Sequence, residues 1–203
     1  MAAVQWPFLV CLALLADPVV SLALGPQWSP AAPLVRIMAI ASMILFPAFM
    51  TFPVLVSIGR IRDTLAASLI SLPPSMLVVC AAAFLGTEAL AASLFITGPL
   101  QVYVAMHFIR RHVPFAWKEL GAVLGKSVAI TLSTAAAPGA AVVLAGFRFD
   151  LPVSVMFVSG LGAAAGWIAG VFLTGHPLSM ELRSAILTVF RLVENSTFFQ
   201  KPM

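Results

Sequence analysis

Residues 37–59 read IMAIASMILFPAFMTFPVLVSIG, a stretch without one Asp, Glu, Lys or Arg. A bilayer core roughly 30 Å thick is crossed by roughly 20 apolar residues of helix. Segments 64–87, 89–109, 127–147 and 151–180 are equally free of charge. A soluble core built from 203 residues has no use for so many runs of this length. Hydrophobic residues make up 62% of the chain and charged ones 9%, against roughly 25% charged in a globular domain. The sequence therefore predicts an all-α, polytopic integral membrane protein.

Outward from 37–59, six spans are expected at about 6–24, 33–58, 65–84, 89–109, 120–145 and 152–173, a six-helix lobe over residues 1–175. The first stops at Gly25-Pro26, where Gly caps and Pro cannot continue the ladder. Pro47 and Pro53 predict a kink or local unwinding in the second, and Pro73-Pro74, Gly98-Pro99 and Pro138-Gly139 interrupt later ones. The first two dozen residues imitate a signal peptide, but no Lys or Arg precedes Arg36 and Asp17-Pro18 breaks the apolar run. A retained first span is the expectation. Residues 176–203 change character. Leu178, Leu182, Ala185, Ile186, Val189 and Val193 share one helical face opposite Glu181, Arg183, Arg191 and Glu194, which predicts an amphipathic helix on a cytoplasmic membrane surface.

The +4 net charge is not a nucleic-acid footprint, because the basic residues are few and dispersed. They read as topology signals. Eight of the eleven lie in the 60–62 and 110–118 loops and the tail, while the opposite loops hold only Arg148. The positive-inside rule then puts both termini in the cytoplasm, with Trp6 and Trp117 at the inner interface and Trp28 at the outer one. Cys11 and Cys80 lie in apolar runs with no ligand neighbours, so neither a disulfide nor a metal site is expected.

Asp17 sits about 10 Å inside the first span. A carboxylate at depth costs roughly 3 kcal/mol or more unless it is protonated, paired or wetted. Arg36 enters the second span from the same side. The two either line a hydrophilic cavity or form an interhelical ion pair near the interface, or Arg36 snorkels outward. Gln101, Tyr103 and His107 put polar atoms along the cytoplasmic half of the fourth span. Arg60, Arg62, Arg110 and Arg111 either attract anionic headgroups, including a lipid-linked diphosphate, or only fix topology. Thr131, Ser133 and Thr134 are expected to bond their own helix, and Lys126 to snorkel to the inner leaflet. Gly162, Gly166 and Gly170 form a small-residue stripe for close helix packing, within the chain or with a partner. No phosphate loop, metal cluster or activated nucleophile is present, so no enzyme activity and no cofactor is expected.

The run Leu15-Ala16-Asp17-Pro18-Val19-Val20, then Leu24-Gly25-Pro26-Gln27-Trp28, then Ala31-Ala32-Pro33-Leu34-Val35-Arg36 resembles the second half of bacterial polysaccharide-biosynthesis flippases. These belong to the multidrug/oligosaccharidyl-lipid/polysaccharide exporter superfamily. Ser57-Ile58-Gly59-Arg60 resembles that family's Gly-Arg turn, and His176-Pro177-Leu178 with Glu181-Leu182 its C-terminal tail. The resemblance implies one lobe of a twelve-helix exporter of lipid-linked oligosaccharide in the bacterial inner membrane, working by alternating access. It implies cavity or rim roles for Asp17, Arg36 and Arg60. It also implies a missing amino-terminal lobe or a partner chain, without which the lobe is inactive. The rival reading is a non-transporting scaffold of a glycan-assembly complex.

Overall fold

A computed structural model describes residues 1–114, 116–175 and 179. Its elements are α1 (Ala2–Leu14), α2 (Ala16–Leu24), a 3-10 turn (Pro26–Ala31), α3 (Ala32–Ser57), α4 (Ile61–Ala83), α5 (Thr87–Ala92), α6 (Leu94–His112), α7 (Trp117–Leu144) and α8 (Val153–Leu173). Among the described residues no strand occurs. Five helical stretches are long and apolar enough to cross a membrane, α5 and α6 counting as one, or six if α1 and α2 are a single broken span. The second to sixth expected spans coincide with these to within a few residues. The amphipathic segment expected at 176–203 lies, apart from Ser179, outside the described residues.

The first span differs from expectation. The chain does not run straight from residue 6 to 24 but bends by 81° between α1 and α2. The reason is in the sequence. Pro18 has no N–H to offer the Leu14 carbonyl, and its ring clashes with a continuing turn. A proline is tolerated in the first turn of a helix, so α2 restarts around Ala16-Asp17-Pro18. At about 20 Å, α1 alone is shorter than a bilayer core.

Other prolines lie inside continuous helices. α3 runs through Pro47 and Pro53 without unwinding, α4 through Pro73 and Pro74, and α7 through Pro138. Each proline leaves the carbonyl four residues earlier without its helical partner. Two of these carbonyls are taken by tryptophans from neighbouring helices. Pro47 frees Met43, and the Trp6 indole donates to the Met43 carbonyl at 3.1 Å. Pro7 frees Ala3, and the Trp167 indole donates to the Ala3 carbonyl at 2.8 Å. Trp6 thus meets α3 near its midpoint and is a bundle residue, not the interfacial belt residue the sequence suggested.

Helices α3 to α6 form one group and α7 with α8 another. Helix α1 is wedged between them, packing on both α3 and α7. Helix α7 packs mainly on α8 and α1. The α7–α8 seam is close because glycines line it. A Cβ on Gly162 would stand 2.6 Å from that of Ala137, and one on Gly166 would run into the Ser133 carbonyl. The stripe therefore serves packing inside this chain. Ser133 and Thr134 donate to the Ile130 carbonyl and Thr131 to Ser127, each at 2.8 Å, so these hydroxyls bond their own helix as expected. Much of the outer surface is apolar: Phe8, Phe52, Leu69 and Leu161 are all exposed, a surface suited to lipid or to another apolar partner.

Candidate functional site

The charged residues gather at two opposite ends of the bundle. At the first, Arg36 reaches from the first turns of α3 to the break between α1 and α2. It forms an ion pair with Asp17, the two side chains being 23% and 30% exposed. Its Nε donates to the Ala13 carbonyl at 3.1 Å, and its guanidinium lies 3.8 Å from the centre of the Phe149 ring. The electrostatics explain the arrangement. The end of α1 carries partial negative charge and meets the cation, while the start of α2 carries partial positive charge and holds the acid. The interhelical ion pair that the sequence allowed between Asp17 and Arg36 is present. Around it Leu15, Val142, Leu151 and Met156 close a small apolar core.

Arg148 and Asp150, in the loop before α8, also form a two-pronged pair, at 3.1 and 2.8 Å. That hydrogen bond, with the attraction of the charges, raises the Arg148 pKa, and it lowers that of Asp150. The single cation of these loops is therefore neutralised locally.

The opposite end is basic and less fully paired. Arg60 begins α4 after a turn in which its N–H bonds the Leu55 carbonyl at 2.8 Å and the Gly59 N–H bonds Val56 at 3.0 Å. Gly59 takes φ +73°, the left-handed value such a helix ending needs. Gly146 and Phe147 end α7 with the same pair of bonds. The Gly-Arg turn is thus ordinary helix capping. Asp63 and His112, far apart in sequence, join the start of α4 to the end of α6 at 2.6 Å. The sequence carried no signal for that pair.

The fourth-span candidates separate into two faces. Gln101 turns toward α4, its amide 3.4 Å from the Ser75 hydroxyl. It lines a recess of about 160 Å³ with Thr51, Thr64, Ser68 and Ser71. Tyr103, His107 and Arg110 turn the other way. With Met106, Arg111 and Trp117 they line a groove of about 450 Å³. Arg110 stands 5.0 Å from the Trp117 ring. Arg111 lies 5.1 Å from the Phe108 ring, and its Nη2 is 2.9 Å from His107 Nε2. Arginine can only donate, so that nitrogen accepts and the other carries the ring proton. The sequence had named Tyr103, His107, Arg110 and Arg111 but gave Trp117 only an interfacial role.

A third recess, of about 410 Å³ and apolar, opens between the two helix groups, lined by Trp6, Val10, Met43, Ile44, Val128 and Leu132 among others.

This fold is all-helical among the described residues, with five or six helices long and apolar enough to cross a membrane and an apolar outer surface suited to one. No protein family, curated protein or solved structure matches the chain.

Proposed function

We propose that the chain is the carboxy-terminal lobe of a flippase for lipid-linked oligosaccharide, serving lipopolysaccharide or exopolysaccharide synthesis in a bacterial inner membrane. The observation that carries this reading is the open apolar recess between α3 and α7, floored by α1. Two helix groups bridged chiefly by the bent pair α1 and α2 leave a cleft open between α3 and α7, as expected of half a transporter whose other lobe completes the cavity. In this reading a polyprenyl-diphosphate glycan passes between the lobes, and the basic end, with both termini, faces the cytoplasm. Asp17, Arg36 and Arg60 frame the passage, and the lobe is inactive without its partner.

Rescue of a strain lacking its glycan flippase is the test. The chain alone should insert and fail to restore export, whereas co-expression with an upstream six-helix lobe should restore it. Rescue by the monomeric chain alone refutes the half-transporter reading. For topology, cysteines at Ala116 and Gln27, in a background with Cys11 and Cys80 replaced, should be respectively shielded from and open to an outside reagent in intact cells.

One observation favours the rival reading of a static scaffold in a glycan-assembly complex. Arg36 is engaged at once by Asp17, the Ala13 carbonyl and Phe149, which suits a fixed brace better than a moving gate. In the completed transporter, Asp17→Asn with normal protein level and unchanged export would favour the scaffold; export lowered several-fold would favour the flippase.

A further inference from the structure

We infer that the groove of Tyr103, Met106, His107, Arg110, Arg111 and Trp117 is a binding site for the phosphate of a membrane lipid. The inference does not rest on the transport reading, since a lipid can be held without being moved.

Charge is the first argument. Among the described residues the ion pairs are Arg36–Asp17, His112–Asp63 and Arg148–Asp150. Arg110 and Arg111 have no carboxylate partner there, and no acid among the described residues lines the groove. Glu119, the acid nearest in sequence, is not among its lining residues. Two adjacent guanidiniums without counter-charge leave a local excess of positive charge that an anion relieves.

Position is the second. Arg110 and Arg111 occupy the last turn of α6 and Trp117 the first residue of α7. Here apolar spans meet the basic end. Trp117 is 54% and Tyr103 72% exposed, aromatic residues of the kind that settle at headgroup level. Met106 adds an apolar side chain to the groove's lining. A free, fully hydrated anion needs no apolar wall; an amphiphile does.

Preorganisation is the third. The Trp117 and Phe108 rings steer Arg110 and Arg111, and His107 holds one Nη of Arg111. Two forks held in this way lose less freedom on binding than extended surface lysines would. The α7 start, which has no side-chain cap, adds partial positive charge beside them.

A phosphate of this kind has two sources, a bulk anionic phospholipid or a lipid-linked diphosphate. The test titrates the purified full chain, in a neutral maltoside detergent, with dioctanoyl phosphatidylglycerol, farnesyl diphosphate and dioctanoyl phosphatidylcholine. Both net anions should bind at least tenfold more tightly than the zwitterion. Arg110→Gln and Arg111→Gln should each weaken anion binding about tenfold, the weight of a modest charge-assisted hydrogen bond. Arg148→Gln, at the other end, should change nothing. Farnesyl diphosphate bound tenfold or more above phosphatidylglycerol identifies the site with lipid-linked diphosphates; parity identifies it with bulk phospholipid. Phosphatidylcholine bound as tightly as the anions overturns the proposal. So does a double Arg110→Gln, Arg111→Gln variant that keeps full anion affinity and the native elution volume.

Discussion

Both ends of this bundle carry arginines and use them differently. Around the α1–α2 break, one arginine meets an acid, a carbonyl and an aromatic ring. At the other end two arginines meet aromatic faces and a histidine and, among the described residues, no acid. A cation placed against its own protein's negative groups is spent on structure, whereas one braced only by ring faces keeps its field for something outside. Stability should therefore be sensitive at the first end and along the seams that lead from it, and nearly indifferent at the second.

The largest expected effect comes from the seam between α7 and α8. Gly166→Val puts a branched side chain on the Ser133 carbonyl, and backbone cannot yield cheaply. A loss of about 3 kcal/mol is expected by analogy with overpacked cores, read as a lowered unfolding midpoint in detergent. If the midpoint stays put, the seam is looser than described.

Next comes the break. Arg36→Gln strands a part-buried carboxylate and a carbonyl at the end of α1. For a pair only partly shielded from solvent this should cost about 2 kcal/mol, less than the loss of a buried pair. Combined with Asp17→Asn, part of that loss should return. A double variant worse than the sum of the singles refutes the pairing.

Smaller and more diagnostic is Trp167→Phe, which keeps the ring and removes the N–H. The Ala3 carbonyl, already deprived by Pro7, loses its partner, at about 1 kcal/mol. In a Pro7→Ala background the helix offers that carbonyl its own N–H, so the same change should become nearly silent. Equal costs in both backgrounds would show that the indole acts through packing alone.

The smallest effect is expected at the basic groove. Arg110→Gln and Arg111→Gln are exposed changes without an ion pair to break, and together should shift stability by less than about 0.5 kcal/mol. A large shift would mean that these arginines hold structure after all and would erase the contrast between the ends.

Several features were legible before any coordinates. Spans two to six, the halt at Gly25-Pro26 and the uneven distribution of cations depend on residue type and on length along the chain. A run of about twenty apolar residues is long enough to cross a bilayer as a helix whatever its neighbours are, and charge is counted by segment. Asp17-Pro18 also marked the right place for an interruption, though the sequence read it as evidence against a signal peptide and not as an 81° turn. The short motifs were less informative than they looked: Ser57-Ile58-Gly59-Arg60 is a helix ending that α7 repeats at Gly146.

What composition and spacing determined about this protein, then, is that it is helical, apolar enough to span a membrane and basic at one end, because those properties are sums over neighbouring residues. What only the tertiary structure decided is which groups meet: Trp167 with Ala3, Asp63 with His112, the glycine stripe with α7, Gln101 turned away from His107. Each of these depends on the rotation and depth of one helix against another. A helix places its residues every 100° or so around its axis, so a turn of one helix by a fraction of a circle exchanges every partner while leaving its own sequence pattern unchanged.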